Sequence, residues 1–238
     1  MRHIEGIDLF IRAQIAAEEA QQTTEPHPQP FVTISRQAGA GGHSLADAIL
    51  EAFAAQDDRD LFGGWKVFDQ RLCEIVAEDP HYAPSIGTMQ AEEYRSRTDE
   101  FFRQMMGTQL HQDVVMNRVF RVVRALAMLG KAVIVGRAGS QVTKGMPYRV
   151  ALRLVAPEDH RMGRLMEIHD LNERAARDLM RKRDTHRARL LKSNYQVDVA
   201  DPTNYDATWN TATVPYEDIA AAVVVLIRQR LVGATRAS

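Results

Sequence analysis

Three glycines, Gly39, Gly41 and Gly42, fall within four residues of the stretch FVTISRQAGAGGHSLADAIL, Phe31 to Leu50. An apolar run precedes them and an amphipathic run follows, so a strand leads through a tight turn into a helix. The chemistry suited to that order is anion binding. The first N–H groups of a helix have no partner within it, the helix dipole is positive there, and glycines let the backbone curl around phosphate oxygens. The full phosphate-loop pattern, G-x-x-x-x-G-K-[ST], is met in neither of two registers. With Gly41 as the second motif glycine, Arg36 replaces the first and Gly42 replaces the lysine. With Gly42 as the second, Gln37 replaces the first, His43 replaces the lysine and Ser44 supplies the hydroxyl that would meet Mg²⁺. Both registers stay open, and in both the lysine is gone. Arg36 and His43 are read as jointly supplying its charge. The competing reading is a glycine turn that only lets strand and helix pack closely.

Further cationic groups occur at places that suit phosphate. Arg137 follows an apolar strand in VIVGRAGS. Ligands gather at the carboxyl ends of parallel strands, and a guanidinium there can fork onto a phosphate; otherwise it is an ordinary surface arginine. RKRDTHRARLLK, Arg181 to Lys192, sets six Lys or Arg against one acid, Asp184. Arg183 and Arg187 are four apart and share a helix face, which can close over phosphates during transfer. A solvated basic face is the plainer alternative, and the segment lacks the interleaved aromatics of a nucleic-acid binder. Asp69 ends a strand in WKVFD. It either orients an acceptor hydroxyl or metal-bound water, or caps the next helix. His160, His169 and His186 have no partner at metal-ligand spacing.

The elements that position these groups alternate from Phe31 onward. FVTIS, WKVFD, AVIVG (Ala132 to Gly136), RVALRLVA (Arg149 to Ala156) and YDATWNT (Tyr205 to Thr211) read as strands. Helices are expected at about 42–55, 89–106, 109–129, 158–193 and after Pro215, with another starting in QRLCEIVAE. Strand and helix in alternation imply an α/β fold, a parallel sheet covered on both faces. Before it, Ile4, Ile7, Ile11 and Ile15 form one stripe of a helix, and three prolines between Pro26 and Pro30 make a linker. Residues 1–30 are thus an appendage, and 31–238 one domain. The isoleucine stripe suits docking on the core or pairing two subunits into a homodimer.

Bulk composition narrows the classes. With 30 Lys and Arg against 31 Asp and Glu in 238 residues, the charge balance points to neither nucleic acid nor an anionic membrane. The run IAAAVVVLI is far short of the roughly 20 residues that cross a bilayer. A single cysteine, Cys73, cannot form an internal disulfide, and no signal-peptide core opens the chain, so the expected location is the cytoplasm.

Taken in order, FVTISRQAGAGGHSLA, VFDQRLCEIVA, VIVGRAGS, VALRLVAPEDHR, RDTHRARLLKSNY and YDATWNT resemble the cytidylate kinase-like family of P-loop nucleoside monophosphate kinases, from about Phe31 to the last helix. The resemblance implies a P-loop NTPase-type five-stranded parallel sheet, a helical acceptor-binding insertion at about 89–129 and a basic lid at about 158–193. It implies ATP with Mg²⁺ as donor and a nucleoside monophosphate, CMP or dCMP, as acceptor. By position, Gly39, Ala40, Gly41, Gly42, His43 and Ser44 become the donor phosphate loop, with Ser44 as a candidate Mg²⁺ ligand. Arg137 matches the arginine that holds the acceptor monophosphate, Arg183 and Asp184 match the lid's Arg-Asp motif, and Asn210 and Thr211 match the pair near the adenine. Asp69 and Asp184 join Arg137 on the acceptor side; Arg36, His43, Arg183 and Arg187 are the candidate catalytic cations. Departures are Gly42 for the loop lysine, Ala138 for the acid after Arg137, and Arg187 for the second lid aspartate. The expected function is therefore an ATP-dependent phosphotransferase. A nucleotide-binding regulatory module and a kinase with another small acceptor are the alternatives.

Overall fold

The computed structural model describes residues 29–69 and 112–235. The N-terminal helix and linker over 1–28, Cys73, the helix after Asp69 and the segment 89–111 of the insertion lie outside the described residues.

Five strands form one parallel sheet in the order β2-β3-β1-β4-β5: β1 (Phe31–Arg36), β2 (Lys66–Phe68), β3 (Ala132–Val135), β4 (Arg149–Val155) and β5 (Ala207–Asn210). The expected sheet is present, with strand ends within two residues of those read from the sequence. Alternation sorts the side chains. Val32, Ile34, Val133, Val135, Val150, Leu152 and Leu154 form a core with α1 (Gly42–Ala54) and α7 (Tyr216–Thr235). From the helices come Leu45, Ile49 and Phe53, and Ile219, Val223 and Ile227, each set at four-residue spacing on one stripe. Phe31, Phe68 and Ile134 face the other way, onto α3 (Gln112–Leu129), through Val119, Val122, Val123 and Leu126. Each fully buried Leu, Ile or Phe is worth about 1.5–3 kcal/mol, so the two cores fix which face each strand residue takes. Phe53 also packs between Phe62, of α2 (Arg59–Phe62), and Trp65, with ring centroids 5.1 and 4.5 Å away.

The helical run expected over 158–193 is two helices, α5 (Glu158–His169) and α6 (Glu173–Tyr195). Asp170 takes a left-handed conformation (φ 51) that ends α5, and Asn172 caps α6 by accepting the Ala175 N–H at 2.9 Å. Leu165, Ala176 and Met180 form the core of this hairpin, and Ala38 of the glycine loop belongs to the same cluster. Three short elements are additional: α2, α4 (Gly139–Val142) and a 3-10 turn at Pro202–Asn204. Among the described residues, no helix is long and apolar enough to cross a membrane.

Strands β1 and β4 are neighbours, yet the chain leaves β1 toward β2 and leaves β4 toward β5. Such a divergence opens a crevice at the carboxyl ends of the two strands, where open α/β sheets hold ligands. The glycine loop sits at that point.

Candidate functional site

The loop hangs from the sheet by Gln37, whose N–H donates to Leu154 O (3.0 Å) and whose Oε1 accepts the Ala156 N–H (3.1 Å). Gly39 and Gly41 both have left-handed φ values, 82 and 81, which glycine adopts without strain. A Cβ on Gly39 would overlap the Arg161 carbonyl, and one on Gly41 would overlap the Tyr216 hydroxyl. Gly41 is also the N-cap of α1, and no side chain caps that helix. The helix therefore presents its first N–H groups at the turn, as an anion site requires.

Geometry favours the register that puts Gly42 in the lysine's place. A Cβ on Gly42 would stand 3.1, 3.2 and 3.3 Å from Cγ, Cδ and Nε of Arg36. The Arg36 stem thus fills the room a lysine at position 42 would use. Its guanidinium runs on to Gly136, where a Cβ would overlap Nη1. Arg36 is half-buried, and its pKa is pushed down to about 9. Burial is the largest cause, followed by the charges of Arg187 and Arg137, opposed by Asp69, with Arg183 adding to the repulsion. Arg187 is lowered too, mainly by burial, and Asp184 opposes that shift. Four expected cations therefore converge on one volume, where their mutual repulsion leaves room for anionic charge.

His43 is placed differently from Arg36. Its side chain is 62% exposed, with Nε2 3.9 Å from Asp69 Oδ2, beyond hydrogen-bond length. It stands at the rim with Asp69, so the cation lying across the lysine's position is Arg36. Arg137 is buried at 9% exposure rather than on the surface. Gly136, Arg137 and Ala138 follow one another with left-handed φ values of 86, 52 and 54. Two successive non-glycine residues in that region carry strain of order 1–3 kcal/mol each.

Asp184, expected on the acceptor side, joins α6 to the loop and to α5. Oδ1 accepts from the Ala38 N–H (2.7 Å) and from Arg187 (3.2 Å), and Oδ2 accepts from Arg161 (2.8 Å). Arg183 Nη1 lies 3.3 Å from His169 Nε2. Thr211 is buried, and its hydroxyl donates to Ala40 O at 3.2 Å, while the Asn210 side chain accepts the Ala212 N–H. Both stand at the β5 end of the loop.

Ser44, expected as a Mg²⁺ ligand, accepts a hydrogen bond from Arg164 at 2.5 Å, and that guanidinium lies 5.5 Å from the centroid of the Tyr216 ring. A divalent cation on the Ser44 oxygen would face another cation, so this hydroxyl does not fit the ion. Asp69, a carboxylate at the loop's edge 3.9 Å from His43 Nε2, is of the ligand type that Mg²⁺ takes beside phosphate and water oxygens. Arg161 and Arg164 were not expected here. Three apart on α5, they share a face turned to the loop, and Arg161 also donates to Ala156 O and Ala38 O.

Residues 31–213 match the profile of the Cytidylate kinase-like family. No curated protein matches the sequence. Among solved structures, an uncharacterized protein from Eubacterium ventriosum aligns with a TM-score of 0.64 and 20% identity, over 84% of this chain and 99% of that one. A shikimate kinase from Bacteroides thetaiotaomicron aligns with a TM-score of 0.45 and 10% identity, over 84% of this chain and 98% of that one.

Proposed function

The chain belongs to the cytidylate kinase-like family, and from that premise we propose that it is an ATP-dependent phosphotransferase acting on a nucleoside monophosphate, CMP or dCMP. One observation carries the reading: the Arg36 stem crosses Gly42 and sets a guanidinium over Gly136, so the phosphate loop keeps a cation although it has no lysine.

In this reading the donor phosphates rest on the N–H groups of the Gly39–Ser44 turn, with Arg36 above them. Arg137, at the end of β3, holds the acceptor phosphate. Arg187 and Arg183 reach in from α6 to balance charge on the transferred group, the main work left to the protein in phosphoryl transfer. Asp69 and His43 flank the acceptor side, and Asp184 keeps the lid and its arginines over the loop. Thr211 fixes the loop at its adenine end, with Asn210 next to it in the chain. Mg²⁺, held by Asp69, would supply further neutralisation of the phosphate oxygens.

The test is ADP release from Mg-ATP with CMP, dCMP, UMP or AMP. Release with CMP or dCMP is expected, and Arg36→Met should lower it by about 100-fold or more, the usual loss for one preorganised donor or charge. Tight binding of an ATP analogue without acceptor-dependent release would make the chain a regulatory module. Release only with a non-nucleotide acceptor would move it to another substrate.

A further inference from the structure

Strand β4 carries a buried cation that the phosphate loop does not use. Leu152 and Leu154 face α1 and α7, so Arg153 stands on the opposite face, the one that carries Ser35, its register partner on β1. Arg153 is 5% exposed. Its Nη1 donates to Ser35 Oγ at 3.1 Å, and its Cζ lies 5.5 Å from the centroid of the Tyr205 ring. The Tyr205 hydroxyl is 3.3 Å from Ser35 Oγ and donates to Val199 O at 3.0 Å. None of the ion pairs among the described residues brings a carboxylate to Arg153. The charge it feels from the lid is another cation, Arg187.

A guanidinium has five N–H donors, and a buried charge without a counter-ion is expensive. On this side of the sheet two further buried polar atoms, Thr33 Oγ1 and Gln141 Nε2, lack a hydrogen-bond partner among the described residues. Thr33 lies two residues before Ser35 on the same face of β1. Gln141 belongs to α4, which packs there: a Cβ on Gly139 would meet Thr33 Cγ2 at 3.4 Å. The remaining guanidinium N–H groups, the Thr33 hydroxyl and the Gln141 amide can all donate, and an oxyanion would complete them.

We propose that Arg153 and Ser35 form a subsite for an oxyanion carried by the acceptor, a phosphate ester or a carboxylate. This rests on the phosphotransferase reading. The donor phosphates belong to the N-terminus of α1, on the other face of the sheet, whereas Arg153 shares its face with α4, the helix that follows Arg137. Arg187 lies within electrostatic reach of both Arg36 and Arg153 and so spans the two anions.

Arg153→Met keeps the bulk and removes the charge. Its KM for the acceptor should rise about 10- to 100-fold, the worth of one hydrogen bond to a charged group, with the KM for ATP within about twofold. CMP and glycerate, assayed side by side, distinguish the phosphate from the carboxylate, and cytidine, which has neither, should be indifferent to the substitution. An unchanged acceptor KM, or an equal rise for ATP, overturns the proposal. Independently of the variant, crystals of the parent chain soaked in selenate should show anomalous density within hydrogen-bond distance of Arg153, and its absence there also overturns it. Selenate at Arg153 with no transfer to any acceptor would sink the phosphotransferase reading and leave the anion subsite standing. Transfer that ignores Arg153→Met would do the reverse.

Discussion

Replacing Arg36 by methionine keeps much of the stem that fills the room over Gly42 and deletes the guanidinium over Gly136. The fall of the Arg36 pKa from the ordinary guanidinium range to about 9 corresponds to at most about 5 kcal/mol, at 1.36 kcal/mol per pH unit. The sign follows from linkage. Below pH 9 both folded and unfolded chains hold the proton, and the cost of confining the charge is fully present. From about pH 9 up to the ordinary guanidinium range the unfolded chain holds a proton that the folded one has lost, so stability rises with pH. At pH 7.5, without nucleotide, Arg36→Met should therefore be more stable than the parent. After allowance for partial solvation, about 1–3 kcal/mol is expected in urea unfolding, the usual gain when an apolar group replaces a confined charge. The advantage should shrink as pH rises above 9. The response to ligand should be opposite. A Mg-bound ATP analogue at 100 times its Kd stabilises the parent by about 2.7 kcal/mol, and a 100-fold loss of affinity cuts that to about 0.4 kcal/mol. A variant that is less stable when empty, yet keeps the full ligand-induced gain, would refute the assignment of Arg36 as the loop cation.

Three other substitutions probe the same geometry. Gly42→Lys alone should weaken binding of the ATP analogue at least about 10-fold in calorimetry, because its stem meets Arg36; Arg36→Ala combined with Gly42→Lys should recover the loss by vacating that room. Gly39→Ala should lower stability by about 2 kcal/mol or more in thermal unfolding, since it combines a left-handed φ with overlap of the Arg161 carbonyl. Asp184→Ala removes the acceptor for Ala38, Arg161 and Arg187. It should cost about 1–3 kcal/mol for a partly exposed, charge-assisted cluster and speed amide exchange at Ala38.

The sheet was legible because its strands are short apolar runs set off by Gly, Pro and charge. The helices α1 and α7 keep a clean four-residue stripe. The break between α5 and α6 was harder to read: α6 carries so much charge that periodicity hardly marks where it starts, and its signal is the single capping residue Asn172. The loop's register could not be read along the chain because its cation arrives through space, from six residues before Gly42. His43 occupies the lysine's place in one spelling of the motif but turns to the rim. Arg137 was found from its position after an apolar strand, whereas Arg153 was passed over inside one, although a lone arginine in RVALRLV was itself a cue. Arg161 and Arg164 had only their three-residue spacing to mark them. The destination of Asp184 could not be foreseen, because its partners come from three separate segments.

Ala38 shares a cluster with Leu165, Ala176 and Met180, and its carbonyl and amide bind Arg161 and Asp184 of the overlying hairpin. The turn is therefore scaffolded from above as well as from the sheet below. Grafted into another protein, the peptide from Arg36 to Ser44 would arrive without its ceiling; a chimera that retains this shape must import both hairpin helices along with it.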